Sequence, residues 1–103
     1  MGKKRPERTA RRAQQRATRQ LVRDREKLAG LVAGGSEERP IEVTSSAVIE
    51  GRVRGMPCPQ CDGELRIREH RSAGPGMRAV DVRCQSCGAP RTLWFRIVSD
   101  DPN

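Results

Sequence analysis

Aromatic residues are almost missing from this 103-residue chain, which has one Phe, one Trp and no Tyr, and only 34% of its residues are apolar. That excludes a large core, because aromatic and bulky aliphatic groups supply most of the area a core buries. The length allows one small domain with appendages. Histidine is nearly absent as well. His70 is the only one, no Ser, Cys or carboxylate pattern surrounds it, and it reads as a solvated side chain at a strand end, so no catalytic array is legible and no enzyme is expected. No apolar run approaches the roughly 18 residues that cross a bilayer, which excludes an integral membrane helix and leaves no sign of a small-molecule substrate site. The basic start Lys3-Lys4-Arg5 runs on into arginines instead of an apolar segment with a cleavage site, so a cytoplasmic location is expected.

Acidic residues are scarce in the first third. Residues 1–35 carry eleven Lys/Arg against Glu7, Asp24 and Glu26, while residues 36–103 carry ten of each sign, so the whole net charge of +8 sits in the N-terminal arm. The pattern predicts one helix over residues 6–33: Pro6 suits a first helical position, Glu7 the positive end of the dipole, Arg25 and Lys27 the negative end, and Gly34-Gly35 stops it. At about 100° per residue, Arg5, Arg8, Arg12, Arg16, Arg19 and Arg23 share an arc of roughly 80°, opposite Ala10, Ala13, Ala17, Leu21 and Leu28. Like charges three and four apart repel, so the first turns of the isolated helix are expected to fray into a partly disordered arm.

Three readings of this arginine stripe stand side by side. It is a solvated basic tail, a binder of nucleic-acid phosphates through bidentate guanidinium contacts, or a patch for an acidic protein partner or anionic membrane. The alanines offer little to insert into lipid, so a protein is favoured over a membrane. Arg outnumbers Lys by 18 to 3, which fits either guanidinium chemistry or a G+C-rich coding sequence.

Residues 36–52 read as a linker, with Ile41 to Thr44 and Ala47 to Glu50 as short candidate strands. Beyond it, Leu65 and Ile67, then Val80 and Val82, alternate with charged residues around Gly74-Pro75-Gly76, the pattern of a hairpin. Thr92 to Val98 makes a third strand that is apolar on both faces. Trp94 is expected to pack under the Ile41 to Val53 segment; exposed beside Arg96, it would instead form a stacking platform for a base. Residues 100–103 are expected to be a disordered tail.

The cysteines form two matched pairs, Cys58-Pro59-Gln60-Cys61 and Cys84-Gln85-Ser86-Cys87. In a reducing compartment such pairs read as metal ligands before disulfides. Each tight turn aims two thiolates at one point, and two turns complete a closed four-sulfur shell that favours one structural zinc ion and leaves no position for substrate. Such a centre adds a local charge of about −2, opposite in sign to the arm. With so few bulky apolar residues after Val53, the metal is expected to be a condition of folding. Gly88 and Gly63, each close behind a pair, are expected where the chain bends back with positive φ, a geometry that Asp62 also tolerates.

The segments Cys58-Pro59-Gln60-Cys61-Asp62-Gly63 and Cys84-Gln85-Ser86-Cys87-Gly88 resemble the two knuckles of the zinc-ribbon family, over residues 56–98. The resemblance implies a zinc ribbon over residues 53–99 with a three-stranded antiparallel sheet; with the basic helix or arm read from the charge pattern over residues 1–35, a small α+β protein is expected. Rubredoxins share the four-cysteine logic with iron, although their aromatic-rich core is missing here. The leading expectation is a non-enzymatic zinc-ribbon protein that binds RNA or DNA phosphates through its helix. A protein-interaction adaptor is the alternative, and a rubredoxin-like iron carrier the minor one.

Overall fold

The computed structural model describes residues 4–98, with side chains from Arg8 onward. The side chain of Arg5 and the expected tail at 100–103 lie outside the described residues. A 28-residue helix, α1 (Lys4–Leu31), is followed by β1 (Ile41–Val43), a single 3-10 turn (Ser46–Val48), α2 (Ile49–Arg54) and three longer strands. These are β2 (Leu65–Ser72), β3 (Met77–Cys84) and β4 (Pro90–Ile97). Helix α1 ends just before the Gly34-Gly35 pair, where Gly34 takes φ 86° and its carbonyl accepts from the Trp94 N–H at 2.8 Å.

The sheet has four strands in the order β1-β4-β3-β2, not three. β2, β3 and β4 form the expected antiparallel meander, and β1 adds to the edge of β4 in parallel, with Ile41 opposite Phe95 and Val43 opposite Ile97. Parallel pairing needs a crossover, and the 3-10 turn with α2 begins it. That corrects a second expectation, because Ala47 to Glu50 is turn and helix instead of strand. Ile49 and Val53 are both fully buried and four residues apart, a helical spacing that a four-residue window cannot separate from strand alternation. Glu50 sits in the first turn of α2 and pairs with Arg54 at 3.0 Å.

Residues directly opposite each other share a face of the sheet. Leu65 with Cys84, Ile67 with Val82, and Val80 with Leu93 point to one face, where Ile41, Val43, Ile49, Val53 and Phe95 complete the core. A bulge at Arg68 shifts the register of β2 and places Arg71 on the outer face, where its guanidinium binds the Asp81 carboxylate at 3.0 and 3.2 Å. With the Thr92 hydroxyl donating to the same carboxylate, that pairing holds the Asp81 carboxyl below its ordinary range.

Trp94 differs from expectation. It stands opposite Ala79 on the outer face, half-buried, with exposed Arg96 two residues on, while Leu93 and Phe95 meet the Ile41 to Val53 segment. A strand apolar on both faces does not reveal which face the preceding chain covers. Phe95→Ala should therefore lower the unfolding free energy by about 3–5 kcal/mol, and Trp94→Ala by markedly less. Urea titration of both variants at one fixed metal concentration checks this; equal losses would place Trp94 in the core.

Candidate metal centre

Both cysteine pairs lie at one end of the sheet. Cys84 is the last residue of β3, and Cys58 follows α2 by four residues, inside a knuckle that an isolated bridge between Pro57 and Glu64 closes. The two turns have the same backbone. The N–H of Asp62 donates to the Cys58 carbonyl at 2.8 Å and the N–H of Gly88 to the Cys84 carbonyl at 3.0 Å. The N–H of Cys58 then returns to the Gly63 carbonyl, and that of Cys84 to the Ala89 carbonyl. The fourth residue after the first cysteine takes positive φ in both, Asp62 at 63° and Gly88 at 77°.

Gly63, expected to carry that conformation, does not. Its requirement is space: a Cβ there would lie 2.7 Å from the Ser86 hydroxyl and 2.8 Å from the Cys84 sulfur. The two knuckles close on each other at this glycine, and the Gln85 N–H donates across to the Glu64 carbonyl at 2.8 Å.

All four sulfurs lie within 4.8 Å of one another, with Cys61 to Cys84 at 3.4 Å and Cys58 to Cys87 at 3.8 Å. Metal–sulfur bonds of about 2.3 Å in a tetrahedron place sulfurs about 3.8 Å apart, so the cluster fits one metal ion. The separations are far too long for disulfides, and all four cysteines are free. The first cysteine of each pair, Cys58 or Cys84, is buried and accepts backbone N–H groups: Gln60 to Cys58 at 3.4 Å, Ser86 and Cys87 to Cys84 at 3.3 and 3.4 Å. The second of each pair, Cys61 or Cys87, is exposed.

As free thiols the sulfurs are unequal. The Cys87 N–H, helped by that of Ser86, draws Cys84 down to about 6 against the cost of burial. The Gly63 N–H pulls Cys61 the same way, but hydrogen bonding with Cys84, burial and the other two thiols together push it up to about 12.

The centre also reaches α1. Gln60, inside the first knuckle, donates from Nε2 to the Val22 carbonyl at 3.0 Å, and its own carbonyl accepts from the Arg25 guanidinium at 2.8 Å. One turn further on, Arg91 of β4 binds the Glu26 carboxylate at 2.8 Å, its side chain only 9% exposed. Buried Ala29 completes a contact face at positions 22, 25, 26 and 29, the i, i+3, i+4, i+7 spacing of one helix side. Gln60, Glu26 and Arg91 were not legible as site residues, because each looks like an ordinary surface polar group until the chain folds. The last helical turns, the first knuckle and β4 also bound an open cleft of about 490 Å³, lined by Ala29, Val32, Met56, Pro59 and Leu93 among others.

The sequence-predicted arginines lie far from the metal cluster. Arg8, Arg12, Arg16, Arg19 and Arg23 are exposed along α1, and among the described residues no carboxylate pairs with any of them. Trp94 and Arg96 sit together on the outer sheet face, and His70 is exposed near the end of β2. No helix is long and apolar enough to cross a membrane among the described residues. No family model, curated protein or solved structure matches this chain.

Thiolates bind metal and thiols do not, so lowering the pH must release the ion. Chelation or acidification should abolish the sheet signal of the ribbon in circular dichroism and free α1 from Gln60. Cys84→Ser should lose the metal at a higher pH than the native chain does. Persistence of the sheet in a metal-stripped sample would refute the dependence.

Proposed function

We propose that this chain is a non-enzymatic zinc-ribbon protein that binds nucleic acid through the arginine stripe of α1, contacting phosphates without strong base preference. One observation carries the reading. Five arginines stand on one side of a helix whose N-terminal two-thirds touches nothing else in the described structure, and among the described residues no carboxylate pairs with them. Structural arginines are normally paired or packed; a row of free guanidinium groups on a rigid rod suits a polyanion, because each can form bidentate contacts with phosphate.

The ribbon supplies a rigid base for that rod. The molecule measures 78 Å along its longest axis against 23 and 18 Å across, and the three ties at Gln60, Glu26 and Gly34 fix where α1 departs. Zinc is the metal that four thiolates in a closed tetrahedron favour. A closed shell has no position for water or substrate, which supports a structural role over a catalytic one. Elemental analysis should find one zinc per chain, and a visible absorption band would indicate iron instead.

Affinity for duplex DNA or RNA should fall linearly on a plot of log affinity against log salt. Arg12→Ala combined with Arg16→Ala should weaken binding to every sequence alike and reduce the slope by about 2 on duplex DNA. Fluorescence anisotropy with labelled oligonucleotides measures both. No detectable affinity at low salt would overturn the proposal in favour of an acidic protein partner, which a pull-down with and without nuclease would reveal.

A further inference from the structure

The cleft between the last turns of α1, the first knuckle and β4 serves neither the metal cluster nor the arginine stripe. Its volume of about 490 Å³ lies within the ~300–1,000 Å³ common for small-molecule sites. Ala29, Val32, Met56, Pro59 and Leu93 give it a mainly apolar wall. Glu26 and Arg91 are the charged residues that line it, and they pair with each other at 2.8 Å, so the cleft is close to neutral. Two further features distinguish it from a surface groove. The first is Arg91, whose side chain is only 9% exposed. Its bonds to the two Glu26 oxygens, at 3.3 and 2.8 Å, both leave from Nη2, while the Nε–H is closed to water and has no partner among the described residues. Buried donors are normally paired. The second is Gly30, which lines the cleft from within α1. Glycine weakens a helix relative to alanine, yet here the φ is not positive and a Cβ would meet nothing within 4 Å. Neither backbone nor packing calls for a glycine at this position, and its effect is to widen the cleft.

We propose that this cleft binds a small uncharged molecule with an apolar body and one accepting oxygen, a ketone or an amide, which takes the Nε–H of Arg91. A slight turn of the guanidinium toward the cleft that Arg91 lines brings this N–H to the ligand while Nη2 stays on Glu26. Charge selects against carboxylates and amines. Arg91 and Glu26 already neutralise each other, so a charged ligand would leave water without gaining a counter-charge. The unpaired donor selects for the oxygen, because a plain hydrocarbon would fill the cleft and leave the N–H unsatisfied. The apolar wall holds the rest of the molecule, and Gly30 gives it space beside the helix.

The test is a fluorescence titration of the zinc-loaded, nuclease-treated full chain with prodan, an uncharged naphthalene ketone whose emission moves to the blue in apolar surroundings. Its parent dimethylaminonaphthalene, which lacks the carbonyl, is titrated beside it. The expected result is saturable binding of one prodan per chain at ~10–100 µM, with the parent binding roughly tenfold more weakly. Gly30→Phe should fill the cleft and abolish binding of both probes while metal content and circular dichroism stay native, since the position is helical and open. Arg91→Met should reduce prodan to the affinity of the parent. Absence of saturable binding, equal affinities of the two probes for the native chain, or prodan binding indifferent to Gly30→Phe would each overturn the site. So would a native difference between the probes that survives in Arg91→Met. Prodan affinity that falls as protein concentration rises would also overturn it, by showing that a second copy covers the cleft.

Discussion

Four sulfur atoms hold together pieces of chain that otherwise have little reason to meet. Cys58 and Cys84 are themselves core residues, in one cluster with Val53, Leu65, Val82 and Phe95, so metal coordination and hydrophobic packing are one structure here. The magnitudes rank them. One metal ion held by these four thiolates would contribute, if it matches structural zinc sites elsewhere, an apparent ~10–16 kcal/mol, as large as the whole net stability of about 5–15 kcal/mol typical of a small domain. The core without the ion has no such margin, since each of its few aliphatic side chains is worth about 1.5–3 kcal/mol on burial before chain entropy is charged against it. The cluster also reaches outward: Gln60 stands between Cys58 and Cys61 and binds α1 at Val22 and Arg25, so an ion held there would also fix the helix.

What the sequence made legible follows from how local each signal is. The two C-x-x-C turns are complete within six residues, and the structure brings their four sulfurs together. The β2–β3 hairpin was visible through alternation, β4 as a short run apolar on both faces, and α1 through its charge pattern and the glycine pair behind it. The failures were non-local. β1 joins the sheet in parallel because of where the chain returns, which three residues of alternation do not encode. Ile49 and Val53 form a helical pair only when read beyond the window in which Ala47 to Glu50 looks extended. Trp94 and Phe95 are neighbours on one strand, and the side that becomes core is decided by α2, about forty residues upstream. Gly63 was marked as special for the wrong reason, because its constraint is the Cys84 sulfur of the other knuckle, a contact that exists only after closure.

Helix α1 divides its circumference among three tasks, and this division explains a composition unfavourable for an isolated helix. One side, Val22 to Ala29, meets the first knuckle and β4 over only the last turns. A second carries arginines whose mutual repulsion would fray a free helix, and a third carries exposed leucines. Neither of the last two sides finds a partner among the described residues; the proposed phosphate contact would make the arginine side favourable.

The spacing of the arginines limits what that side could offer a polyanion under the proposed reading. From Arg8 to Arg23 the row spans about 22 Å with a charge every ~4.5–6 Å, whereas duplex DNA carries one per ~1.7 Å of axis. A single row would neutralise only part of the phosphate charge beside it, so contact through α1 alone would be weak and steeply salt-dependent.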